Sequence, residues 1–202
     1  MNYCMSPSYT PRLNPGHHDD RTYEDAYQNE VYEYALSYAK QNGFCTVCDV
    51  GCGSAFKLMK YFKDFITIGI ETEPCLSYLM EKYPTRLWYP SGEAEKNLPE
   101  KIHSADLVIC CDVVEHIVNP DLLMNYLAAM NANAFILSTP DRAVLESWGW
   151  PPNGPPRNEC HVREWNESEF VAYVSQFFTV TEVSHGASQT ECMWLLCVKR
   201  VS

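Results

Sequence analysis

The sequence predicts a doubly wound α/β domain, and three observations carry that prediction. Short runs at 45–50, 65–71, 107–111 and 134–137 are apolar almost throughout rather than alternating, as strands buried on both faces of a parallel sheet must be. Stretches of helical periodicity separate them, so helices are available to cover both faces. The length of 202 residues suits one domain that buries about 70% of its unfolded surface.

The elements follow in order. Residues 1–18 hold Pro7, Pro11 and Pro15 without periodicity and read as an irregular arm ahead of a single domain over 19–202. From Asp19 or Asp20 as N-cap, Tyr23, Tyr27, Val31, Tyr34, Ala35 and Tyr38 recur at three- and four-residue steps toward Gly43, predicting one amphipathic helix. Its tyrosine stripe reads as packing against the sheet, with Tyr27 and Gln28 the positions that could face a pocket. The first strand then leads to a helix over 54–63, the second to a helix near 74–83 and a short strand around 86–90. After a loop, a helix from Pro120 to about Met130 separates the runs at 107–111 and 134–137. A stretch from 140 to about 165, with Pro140, Pro151, Pro152, Pro155, Pro156, Trp148 and Trp150, reads as a long loop that builds or caps a site. A helix at about 167–176 precedes runs at 178–183 and 192–198, joined through Gly186 as an antiparallel edge pair.

Charge narrows the partners. With 26 acidic against 15 basic side chains the net charge is −11, which lacks the broad basic face that phosphate backbones demand, so nucleic acid is an unlooked-for partner. No apolar run approaches a membrane span, and the first twenty residues lack the pattern of a signal peptide, so the expectation is a cytoplasmic protein with no membrane contact. Its ten cysteines are then reduced; Cys45, Cys48, Cys110, Cys111, Cys192 and Cys197 lie in apolar runs and read as small packing residues. The Cys45–Cys48 spacing is read the same way, because no second pair follows. Nothing in the sequence sets an oligomeric state.

The most specific segment is Val47-Cys-Asp-Val-Gly-Cys-Gly-Ser-Ala55, an apolar strand running into a Gly-x-Gly turn and a helix. Gly51 and Gly53 remove side chains that would keep a ligand off the backbone, and the helix start offers N–H groups. Phe56 replaces the third glycine of the dinucleotide fingerprint, and no Gly-Lys-Ser/Thr follows to make a triphosphate loop. Twenty residues past Gly51, Glu71 ends the second strand where a carboxylate can accept bonds from ribose hydroxyls.

With DVGCG, GIE at 69–71, SGEAE at 91–95, DLVICCDVVEHIVNP at 106–120 and the ILSTP strand end, the sequence resembles the class I S-adenosylmethionine-dependent methyltransferases over about 45–200. The resemblance implies a seven-stranded Rossmann-like sheet ordered 3-2-1-4-5-7-6, its last strand inserted antiparallel. It implies S-adenosylmethionine as cofactor, S-adenosylhomocysteine as product and no metal. Asp49, Gly51, Cys52 and Gly53 would shape the methionine pocket, Glu71 would hold the ribose, Gly92 and Glu93 would line the adenine, and Asp112 and Val113 would face the methyl-bearing side.

Methyl transfer from a sulfonium is an in-line displacement, so catalysis is alignment plus removal of a proton when the acceptor is a hydroxyl. The candidate bases are His161, just after the proline- and tryptophan-rich loop, and His116, at the carboxyl end of a parallel strand. The Cys160-His-Val-Arg-Glu-Trp165 stretch resembles the segment before the final helix in methyltransferases of sugars, lipids and small metabolites. The expected reaction is therefore O-methylation of a small metabolite or glycan precursor, with Trp148, Trp150 and Arg163 as acceptor contacts. A second resemblance, to small-RNA terminal 2′-O-methyltransferases, makes Asp112, Glu115, His116 and His161 a divalent-metal set. A third possibility is a catalytically silent, cofactor-binding partner subunit.

Overall fold

A computed structural model of the chain describes residues 2–16, 19–21, 26–91, 104–187 and 191–200. Seven strands form one sheet in the order β3-β2-β1-β4-β5-β7-β6. They are β1 (Thr46–Val50), β2 (Ile66–Glu71), β3 (Leu87–Pro90), β4 (Leu107–Cys111), β5 (Ala134–Pro140), β6 (Phe178–His185) and β7 (Cys192–Lys199). The first five pair in parallel, while β7 runs antiparallel to both β5 and β6. The resemblance implied this order.

Alternate side chains of the sheet feed two cores. Cys48, Val108, Cys110, Phe135 and Leu137 point to the face covered by α4 (Pro120–Ala129) and α6 (Glu167–Val174), where Leu123, Leu127, Phe170 and Tyr173 are buried. Val47, Leu107, Ile109 and Ile136 point to the other face. There α1 (Asn29–Gln41), α2 (Phe56–Phe62) and α3 (Cys75–Lys82) contribute Val31, Ala35, Leu58, Phe62 and Leu79. Every residue of β4 and β5 is buried, which is why those runs show no alternation.

Three sequence expectations change. The first helix begins at Asn29, not at Asp19 or Asp20, because Gln28 takes a left-handed conformation (φ 61°) that breaks the helical path; Tyr23 lies outside the described residues. Within the expected loop from 140, Asp141 caps a further helix, α5 (Arg142–Ser147), by accepting from the Ala143 N–H at 2.8 Å. Cys45 is exposed at the start of its strand, whereas Cys48, Cys110, Cys111, Cys192 and Cys197 are buried thiols. None of the ten cysteines forms a disulfide.

The arm is built into the fold. Met5 is buried in the core, the Ser6 N–H donates to Glu169, and Arg12 and Gly16 donate backbone N–H groups to Val162 and Glu159 of the loop after α5. Among the described residues no helix is long and apolar enough to cross a membrane.

Candidate functional site

Strand order reverses at β1 and β4, so their connections diverge to opposite faces and leave a crevice at the carboxyl ends of the strands. A cavity of about 730 Å³ opens there. That volume lies in the range of small-molecule sites.

The glycine turn forms one wall. Gly51 has φ 77°, and a side chain there would collide with Val113, so the glycine is required by this close approach as well as by its backbone. The Gly51, Gly53, Ala55 and Phe56 N–H groups are engaged within the chain: Gly53 donates to Glu71 Oε2 at 2.8 Å, and Gly51 to the Ile70 carbonyl. The loop therefore contributes shape more than free donors. Glu71 Oε1 also accepts from the Thr72 N–H at 2.7 Å, and burial raises its pKa against these bonds.

Asp49 lies beneath the turn rather than on the cavity wall. It is fully buried, its Oδ2 accepts from the Tyr32 hydroxyl at 2.8 Å, and its Oδ1 has no hydrogen-bond partner among the described residues. Burial pushes its carboxyl up to about 7, with the Tyr32 bond working against that rise. Cys52, Gly53, Asp112 and Val113 do line the cavity. Gly92 and Glu93 lie outside the described residues, as does the adenine wall they were expected to form.

Asp112 ends β4 in a strained left-handed conformation, φ 51°. Its Oδ1 accepts from the Ser138 hydroxyl at 2.6 Å and its Oδ2 from the Gln28 side chain at 2.7 Å, so both oxygens are held. Tyr27 also faces the cavity, its hydroxyl bonded to Glu191 at 2.7 Å. Tyr27 and Gln28 thus line the site, Tyr32 is buried and also reaches the cavity wall, and Val31 and Ala35 serve the core.

After Asp112 the chain makes a 3-10 turn, Val114–His116, that throws Glu115 and His116 inward. The loop after α5 brings His161 against them, its ring centroid 4.7 Å from that of His116. One ligand atom from each of Glu115, His116 and His161 lies within 4.8 Å of the others. Glu115 is fully buried, and neither carboxylate oxygen has a hydrogen-bond partner among the described residues. Burial, with Asp112 nearby, drives its pKa well above the ordinary range. A buried carboxylate without partners is costly unless protonated or paired with a cation. One carboxylate and two imidazoles suit Mn²⁺, Fe²⁺, Co²⁺ or Zn²⁺, so the residues fit a divalent ion. Asp112, the fourth member of the expected set, stands apart because Ser138 and Gln28 already hold it.

Trp148 and Trp150 line the outer cavity, Trp148 partly in solvent. Arg163 is not on the wall. It is buried, donates to the Ile117 and Val118 carbonyls at 2.7 and 2.8 Å, and stacks on Tyr3 and Trp165, so it braces the backbone behind His116 rather than reaching an acceptor. Wall residues beside the histidine cluster also escaped the sequence reading. Asn158 and Glu164 flank His161 in the chain, and Glu164 stands three residues after it, the one signal that pointed there; Tyr126 of α4 gave none.

No family model and no curated protein matches the sequence. Solved structures do match the fold. Magnesium protoporphyrin IX methyltransferase (ChlM) from Synechocystis PCC 6803, crystallised with S-adenosylhomocysteine, is 16% identical with a TM-score of 0.64, over 86% of this chain and 84% of that one. Small RNA methyltransferase HEN1 is 19% identical with a TM-score of 0.62, over 94% of this chain and 27% of that one. The methyltransferase domain of a bacterial Hen1 is 15% identical with a TM-score of 0.66, over 86% and 99%. The fold is that of the class I S-adenosylmethionine-dependent methyltransferases. In this methyltransferase fold the cavity occupies the crevice at the carboxyl ends of β1 and β4, with the glycine turn on one side and the Glu115–His116–His161 cluster on the other.

Proposed function

We propose that the protein is a methyltransferase that uses S-adenosylmethionine and methylates a hydroxyl, with a divalent cation held by Glu115, His116 and His161. The observation that carries this reading is the convergence of two imidazoles on a buried carboxylate that has no hydrogen-bond partner among the described residues and lies 4.0 Å from His116 Nε2. The cofactor reading is supported by the cavity beside the glycine turn and by fold neighbours crystallised with S-adenosylmethionine or S-adenosylhomocysteine.

S-adenosylmethionine supplies an electrophilic methyl on a cationic sulfur. The chain supplies alignment. Glu71, held by the Gly53 and Thr72 N–H groups, lines the cavity beside the glycine turn, where it would hold the ribose, and the histidine cluster stands on the opposite side. Trp148 and Trp150, which line the same cavity as His161, would contact the acceptor. Glu115, His116 and His161 would hold the divalent ion, which when bound would supply Lewis-acid polarisation of an acceptor hydroxyl. A hydroxyl with a neighbouring oxygen suits this arrangement, and the terminal ribose of a small RNA is the first acceptor to test, given the likeness to HEN1.

A second reading is favoured by one specific contact: His161 Nδ1 lies 2.7 Å from Glu164 Oε1, the orientation of a metal-free general base, with His116 beside it. Here the acceptor is a small metabolite or glycan. The walls agree with an acceptor that is not a polyanion, since Asp20, Glu71, Glu73 and Glu191 line the cavity and Lys57 is its sole Lys or Arg among the described residues. Labelled-methyl transfer assayed on RNA 3′ ends and on fractionated small molecules, each with and without exhaustive chelation, separates the two. Transfer abolished by chelation and restored by Mn²⁺ supports the metal reading, and transfer that survives chelation overturns it.

A further inference from the structure

The two imidazoles of the cluster are both tied by Nδ1, and the partners settle which nitrogen carries the proton. His116 Nδ1 lies 2.9 Å from the Cys160 carbonyl, which only accepts, so Nδ1 bears the hydrogen and the lone pair sits on Nε2, 4.0 Å from Glu115 Oε1. For His161 two contacts agree. The Asn158 amide is oriented by the Cys160 N–H, which donates to Asn158 Oδ1 at 2.9 Å; its Nδ2 therefore donates to His161 Nε2 at 3.0 Å. On the opposite side of the ring, Glu164 Oε1 is 2.7 Å from Nδ1 in a buried pair. Glu164 is itself fixed. Its N–H donates to the Tyr9 hydroxyl at 2.9 Å and its carbonyl accepts from Arg142 at 2.9 Å, within a shell where His161, Glu164 and Arg142 are all buried.

We infer that Glu164 is a positioning residue that holds His161 as the Nδ1–H tautomer, its Nε2 lone pair accepting from the Asn158 amide until a ligand takes that place. Free histidine prefers the Nε2–H tautomer, so without such a partner the ring presents the wrong atom. A carboxylate behind a histidine also raises its basicity as a ligand. The benefit to a bound cation rests on the metal reading above; the tautomer itself does not. Cys160 does the same for His116 through its backbone, which no side-chain substitution removes. One histidine is thus fixed by main chain and its neighbour by a replaceable carboxylate.

The test is a long-range ¹H–¹⁵N spectrum of the imidazoles in the full chain at a pH above the histidine range, paired with calorimetric titration of Mn²⁺ in saturating S-adenosylhomocysteine. In the wild type both His116 and His161 are expected as Nδ1–H. Glu164→Leu combined with Asn158→Ala should release His161 to the Nε2–H form while His116 keeps its own, whereas Asn158→Ala alone should keep Nδ1–H; Glu164→Leu alone should weaken Mn²⁺ binding by about 10- to 100-fold with S-adenosylhomocysteine affinity unchanged. Glu164→Gln keeps an acceptor oxygen, so it should retain the tautomer and lose less affinity, which separates positioning from mere packing. A wild-type His161 in the Nε2–H form overturns the inference whatever the variants do, and so does a spectrum of the double variant Asn158→Ala, Glu164→Leu identical to that of Asn158→Ala alone. If the tautomers behave as expected and the wild type binds no Mn²⁺, the metal reading fails and the positioning role stands.

Discussion

Two buried carboxylates carry opposite tasks. Glu115 has no hydrogen-bond partner among the described residues and clusters with two imidazoles, so its substitution tests the site without touching the cofactor turn. Glu115→Gln is expected to abolish Mn²⁺ binding and lower turnover by at least about a hundredfold, with S-adenosylhomocysteine affinity within about twofold of wild type. Equal loss of both affinities in calorimetry would assign Glu115 to the fold instead. Asp49 is the structural counterpart, bonded to Tyr32 under the turn. Its carboxyl is raised to about 7 in the folded chain, chiefly by burial, against about 3.9 unfolded. The folded state therefore holds this proton more tightly, and the contribution to stability is complete below about pH 4 and lost as pH rises through 7. Urea midpoints should fall between pH 5 and 8, and Asp49→Asn should remove its part of the slope, at most about 1.4 kcal/mol per pH unit. An unchanged slope in Asp49→Asn refutes the assignment.

Among the elements, the arm has the largest unanticipated role. Its prolines and lack of periodicity announced irregular structure, and irregular it is, yet it straps the loop that delivers His161. Tyr9 accepts from the Glu164 N–H and lies under the Arg142 guanidinium, 4.8 Å from ring centroid to Cζ, while Gly154 of the loop fits so closely that a side chain there would meet the Thr10 carbonyl. Tyr9→Ala should cost about 1–3 kcal/mol in urea unfolding by leaving a buried N–H and guanidinium short of partners. The same variant should weaken Mn²⁺ binding more than S-adenosylhomocysteine binding; the reverse order would place the arm's role at the cofactor instead. The helix α5 escaped the sequence reading because proline and tryptophan density masked a short segment whose sole local signal was its Asp141 cap. The late start of α1 escaped it because a continuous tyrosine periodicity conceals the left-handed Gln28 that turns the chain toward Asp112.

At the scale of the whole molecule the net charge of −11 is matched at the cavity by Lys57 alone among Lys and Arg of the described residues. If RNA is the acceptor, its affinity should depend weakly on salt, with a log–log slope shallower than about −2, because few phosphates are neutralised. A steep slope in filter binding would point to a basic surface elsewhere on the molecule. The sequence by itself determined the strands, their burial and the Gly51–Gly53 turn, because each is written in neighbouring residues whose periodicity or spacing states its environment, while the order of the sheet came from a resemblance. It also named Glu115, His116 and His161 as candidates through a resemblance. Only the tertiary structure decided that these three converge while Asp112 is held aside by Ser138 and Gln28, that Arg163 braces backbone, and that Glu164 stands behind His161. Those outcomes depend on how the loop after α5 is pinned by the arm and α6, and contacts between segments distant in the chain leave no periodic trace in the sequence.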